Sequence, residues 1–79
     1  MRENVTTTLI LGQALRKARK RQGLSQEDLV GLSGVGRRFI SDLENGKETC
    51  HIGKVIHVLG SVGIAIQIVT HWEEESNER

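Results

Sequence analysis

Apolar residues recur with a helical period in four stretches of the chain. From about Leu9 to Gln22, Leu11, Ala14, Leu15 and Ala18 fall at the i, i+3, i+4, i+7 spacing that lines one face of a helix. Gly23 is suited to the left-handed residue that ends it. A second helix begins after Ser25, because Ser25-Gln26-Glu27-Asp28 is a capping signature and two acids suit the positive end of a helix. Leu29, Val30 and Leu32 form its apolar side, and Gly34 permits a sharp turn. A third helix starts at Gly36 or Arg37 without a strong capping residue and turns Ile40 and Leu43 inward, with Phe39 at their flank. Arg38, Ser41, Asp42 and Asn45 point outward from it, Arg37 reaches out from its first turn, and Gly46 ends it. A fourth helix is predicted from Cys50 or His51 to Ser61, with Ile52, Val55, Ile56, Leu59 and Val62 as its core stripe.

The period then changes. Ile64-Ala65-Ile66-Gln67-Ile68-Val69 alternates every second residue, placing Ile64, Ile66 and Ile68 on one face, and β-branched residues dominate. This is the pattern of a strand, yet nothing else in the chain resembles a second one. A lone strand leaves its backbone groups without partners, so the same segment of a second molecule is the simplest neighbour, giving an antiparallel ribbon across a two-fold axis. An extended tail packed on its own helices is the alternative. The domain organisation is therefore a flexible arm over 1–8, a helical domain over 9–63, a dimerisation strand over 64–69 and an acidic tail over 70–79. Trp72 is suited to capping the ribbon or anchoring a partner.

With 79 residues, the chain has room for a single small core, which buries only about 60% of the unfolded surface. Dimerisation would add to that. No apolar run approaches the roughly 20 residues that cross a bilayer, and no signal-peptide pattern opens the chain, so no membrane partner and a cytoplasmic location are expected. One cysteine (Cys50) and three scattered histidines (His51, His57, His71) form no zinc-binding spacing, and no metal or other cofactor is expected. There is no catalytic His/Asp/Ser or Cys/His constellation and no phosphate-binding glycine loop, which argues against an enzyme.

Charge changes the picture only when placed along the chain. The formal net charge is +1, but nine basic residues from Arg16 to Lys54 face five acidic ones, whereas the last seven residues hold Glu73, Glu74, Glu75 and Glu78 against Arg79. A basic body is suited to a polyanion, although a charged helix face is often simply solvated. Two charges sit in unusual places. Arg19 lies on the flank of the first helix's apolar stripe, and Glu44 falls on the inward side of the third helix beside Ile40. A buried carboxylate needs a partner, so an Arg19–Glu44 ion pair is expected to tie the two helices together.

The run Gly23-Leu24-Ser25-Gln26, Leu29, Gly34, Val35, Arg37-Arg38-Phe39-Ile40-Ser41 and Leu43-Glu44-Asn45-Gly46-Lys47 resembles the helix-turn-helix domain of Cro/C1-type (XRE family) regulators. A four-helix body followed by a single strand is similar, more narrowly, to HipB-type antitoxins. The resemblance covers about residues 11 to 69. It implies an all-α fold, a four- to five-helix lambda-repressor-like domain whose C-terminal β-strand pairs across a homodimer. It also implies site roles. Gln26, assisted by Ser25, clamps a phosphate; Gly36, Arg37, Arg38, Ser41 and Asp42 lie at base edges; Asn45 and Lys47 meet the flanking backbone. The family often pairs an arginine of the first helix with the glutamate of the third, which matches Arg19 and Glu44. Gly36 departs from the usual Ser or Thr, and Val30 and Gly31 from the usual Ala and polar residue.

An arginine fork can donate two bonds to guanine O6 and N7, so Arg37 and Arg38 favour a G-containing half-site; Asp42 accepts from cytosine N4 or orients an arginine. One helix covers few base pairs, so two copies about 34 Å apart on palindromic double-stranded operator DNA are required. Three readings follow: a dimeric autorepressor that is also the antitoxin of a HipA-like serine/threonine kinase toxin, a stand-alone phage-type regulator with no toxin, and an enzyme or pure interaction module.

Overall fold

In a computed structural model that describes residues 3–72, the chain forms four helices: α1 (Thr8–Arg21), α2 (Gln26–Ser33), α3 (Arg37–Glu44) and α4 (Ile52–Ser61). The first begins one residue inside the expected arm, because the threonine run supplies its cap. The Thr7 hydroxyl accepts from the Ile10 N–H at 3.1 Å, and the Thr8 hydroxyl donates to the Gly46 carbonyl at 2.7 Å. His51 caps α4 in the same way, its ring Nδ1 accepting from the Lys54 N–H.

Helix α1 packs on α3, and α2 packs on both α3 and α4. Leu15, Leu29, Ile40, Leu43, Val58 and Leu59 are fully buried at the centre, with Val35, Val55 and Val62 around them. Two glycines set how closely the elements approach. Gly12, inside α1, lies so near the end of α3 that a methyl group there would overlap the Leu43 carbonyl oxygen and come within 2.9 Å of that of Glu44. Gly34 ends α2 at a φ of +75°, which an L side chain rarely adopts, and so makes the tight turn into α3.

The core departs from the expected stripes on α2 and α4. Ile52 and Ile56 are 64% and 51% exposed, and Val58 takes their place inside. The apolar arc of α4 is wider than one row, so a second row at its other edge, Val55, Val58, Leu59 and Val62, has equally good helical spacing, and packing against α2 selects it. On α2, Leu32 is exposed while Ser33 is buried. Its hydroxyl donates to the Leu29 carbonyl at 2.8 Å and accepts from the Val35 N–H at 3.1 Å, so it enters the core fully bonded.

Beyond Gly63 the chain leaves the helices without regular secondary structure, and the described residues contain no strand. Ile64 is held to its own domain: its N–H donates to the Leu59 carbonyl at 2.9 Å and its side chain packs on the core. Ile66 and Ile68 are exposed. A ladder needs a neighbouring strand, and the described residues supply none. The acidic run from Glu73 onward lies outside the described residues.

Candidate nucleic-acid interface

Helix α3 divides cleanly. Ile40, Leu43 and Glu44 are buried, whereas Arg37 and Arg38 project from its first turn, the Arg38 side chain 91% exposed. Gly36 caps the helix without any side-chain bond, so the first-turn amides beside the arginines carry no side-chain cap. Ser41 and Asp42 are half-buried one turn on, and Asn45 and Lys47 are exposed past the end.

Glu44 is the fixed point. Its side chain is 4% exposed, and it accepts from Arg19 Nε at 2.7 Å and Nη2 at 2.9 Å. Arg19 Nη1 donates to the Leu24 carbonyl at 2.8 Å, so all three guanidinium nitrogens are used. Burial pushes the Glu44 carboxyl up, but the bonds from Arg19 and Gln26 and the charges of Arg19 and Arg16 outweigh it and hold the carboxyl below its usual range. Hydrogen bonding to Glu44 raises the Arg19 pKa in turn, against the opposing effect of burial.

The network continues to the surface through Gln26. Its Nε2 donates to Glu44 Oε1 at 3.1 Å, and its Oε1 accepts from Arg37 Nε at 3.3 Å. The opposite amide orientation would set oxygen against carboxylate and NH2 against guanidinium, so the charges on either side fix it. Arg37 Nη1 also meets Glu27 Oε2 at 3.2 Å. An unbroken polar chain thus runs Arg19, Glu44, Gln26, Arg37, Glu27. Next to it, Ser25 and Asp28 bond reciprocally at 3.0 and 2.8 Å and close the N-terminus of α2. The backbone bond from Ser25, then its hydroxyl, hold the Asp28 carboxyl low.

On the other side of α3, Asp42 lies between two cations: Arg38 Nε at 3.7 Å and Lys47 Nζ at 3.6 Å. Its position therefore favours orienting these cations. Two neighbours of α3 had no signal in the sequence pattern. Glu27 reads there only as a dipole-compensating acid, and Lys54 of α4, whose ammonium lies 5.8 Å from the Phe39 ring centre, only as one basic residue among nine.

The helix-turn-helix domain family matches residues 10–59, the span from α1 through most of α4. An uncharacterised HTH-type transcriptional regulator, y4mF of Sinorhizobium fredii (strain NBRC 101917 / NGR234), is 45% identical over 73 residues, covering 92% of this chain and 96% of the relative. The chain belongs to the helix-turn-helix transcriptional regulators. Among solved structures, a chain of the HipA–HipB–O2–O3 complex superposes with a TM-score of 0.79 over 87% of this regulator and 97% of that chain, at 19% identity, a likeness of fold. The restriction-modification controller protein C.AhdI from Aeromonas hydrophila is 32% identical with a TM-score of 0.64, over 72% of the regulator and 86% of the controller. No helix among the described residues is long and apolar enough to cross a membrane.

Proposed function

We propose that this regulator is a sequence-specific repressor that binds palindromic operator DNA as a homodimer, and that it is the antitoxin and autoregulator of a HipBA-like toxin–antitoxin operon. The observation that carries the DNA reading is the division of α3: one face locked to the core through Glu44, the other presenting the exposed side chains of Arg37 and Arg38. An anchored helix whose first turn projects two arginine forks is suited to bidentate contact with guanine in the major groove. Ser25 and Gln26, at the start of α2, and Asn45 and Lys47, after α3, flank it as backbone contacts.

The dimer rests on Ile66 and Ile68, apolar and exposed in the segment after Gly63, together with the exposed Ile52 and Ile56 of α4. Pairing the segment with its copy would satisfy its backbone and cover these side chains. The likeness of fold to the HipA–HipB complex supports a HipA-like kinase toxin as partner. The likeness to a restriction-modification controller favours a second reading, a stand-alone regulator with no toxin.

A gel shift on the chain's own promoter across a salt series tests DNA binding. Log affinity should fall linearly with log salt, by about 0.9 per phosphate neutralised; a flat response would refute it. Co-purification with the product of the adjacent gene separates the two biological readings.

A further inference from the structure

The two arginines at the head of α3 are not equivalent. Arg38 has only a long contact to Asp42, while Arg37 is held at two points, by Gln26 Oε1 on Nε and by Glu27 Oε2 on Nη1. A guanidinium carries five N–H bonds. With one Nε and one Nη1 bond taken, both N–H bonds of Nη2 and one of Nη1 have no partner among the described residues, and an arginine contact to guanine O6 or N7 can use them. The two tethers therefore leave Nη2 of Arg37 available for a base contact.

We propose that Glu27 is a positioning and discriminating residue for DNA recognition: its carboxylate holds Arg37 in a base-reading pose and opposes use of that arginine on phosphate. The proposal rests on α3 being the reading helix. In a specific complex, Arg37 keeps its bond to Glu27 while its free edge meets guanine, so ordering the side chain costs less. On nonspecific DNA, Arg37 reaches a phosphate only by leaving Glu27, whose carboxylate is then unpaired against the polyanion. Glu27 thus costs more on the wrong sequence than on the right one. Its side chain is 68% exposed, so removing its charge leaves the core untouched.

A double-mutant cycle tests this with two probes: the preferred duplex from in vitro selection and a scrambled duplex of the same composition. In the Arg37 protein, Glu27→Gln should raise affinity for the scrambled duplex more than for the preferred one. The specificity ratio should then fall by roughly two- to fivefold, the scale of an exposed ion pair. In the Arg37→Ala background, Glu27→Gln should raise both affinities by one factor and leave the ratio unchanged. A ratio that is unchanged or higher in the Arg37 protein, or that falls equally in both backgrounds, would overturn the role of Glu27. If Arg37→Ala alone left base preference unchanged, the reading role of Arg37 would fall, and the inference with it.

Discussion

Removing the guanidinium of Arg19 tests the anchor beneath the reading helix. Arg19→Ala deletes two bonds to Glu44, at 2.7 and 2.9 Å, and one to the Leu24 carbonyl, and leaves a carboxylate 4% exposed with only Gln26 Nε2 as partner. Stranding one member of a buried pair costs about 3–5 kcal/mol. A domain of this length has roughly 4–12 kcal/mol in total, so the variant loses a large part of its stability. Chemical denaturation of both proteins from pH 3 to pH 7 measures the loss. In the wild type, the folded pKa of Glu44 lies below the unfolded one, so the pair's contribution is complete above the unfolded value, near ~4.3, and is lost as pH falls through the folded pKa. Without Arg19, burial, the largest influence on the carboxyl, is opposed only by the Gln26 bond and the Arg16 charge and should raise the folded pKa, so the variant should instead lose stability as pH rises above the unfolded value. The two proteins should converge at low pH and diverge above it. Arg19→Met with Glu44→Leu should recover most of the loss, since a buried pair is replaceable by apolar packing. A loss for Arg19→Ala below about 1 kcal/mol at pH 7, against the ~3–5 of a stranded carboxylate, would refute the reasoning.

Other substitutions probe separate parts of the molecule. Gly12→Ala puts a methyl into the Leu43 carbonyl and should destabilise by about 1–3 kcal/mol in urea melts, despite alanine's better helix propensity. If Gln26 also meets a phosphate and Arg37 a base, as proposed, Gln26→Ala should weaken binding to every duplex and also relax base preference, because Gln26 holds Arg37 Nε; a purely uniform loss would make Gln26 a phosphate clamp alone. Ile66→Asp with Ile68→Asp should yield a monomer in sedimentation while α1 to α4 keep their helical circular dichroism, and a persistent dimer would place the main interface elsewhere.

The four helices were legible because each carries an apolar row at helical spacing that is followed by a glycine. Spacing failed where composition left no contrast. Helix α4 has an apolar arc wide enough for two overlapping rows, so Ile52 and Ile56 read as core although packing turns Val58 inward. Gly12 is silent in a periodicity reading, since its role comes from the α3 carbonyls across the interface. Arg19 and Glu44 stood out because a wheel puts two charges on apolar flanks. By contrast, the contact between Glu27 and Arg37 joins residues on either side of the turn and follows no local spacing. The alternating segment from Ile64 is legible as strand-forming, but the described residues hold no ladder that would make it a strand.

The central claim is that the first turn of α3 reads bases. In vitro selection from randomised duplexes, followed by affinities for the preferred and scrambled sequences, tests it most directly. Arg37→Ala and Arg38→Ala should each cost ~1–3 kcal/mol on the preferred duplex and relax selection at distinct guanine positions, while Asn45→Ala should weaken all duplexes alike. Selected motifs that survive both arginine substitutions unchanged would contradict the account.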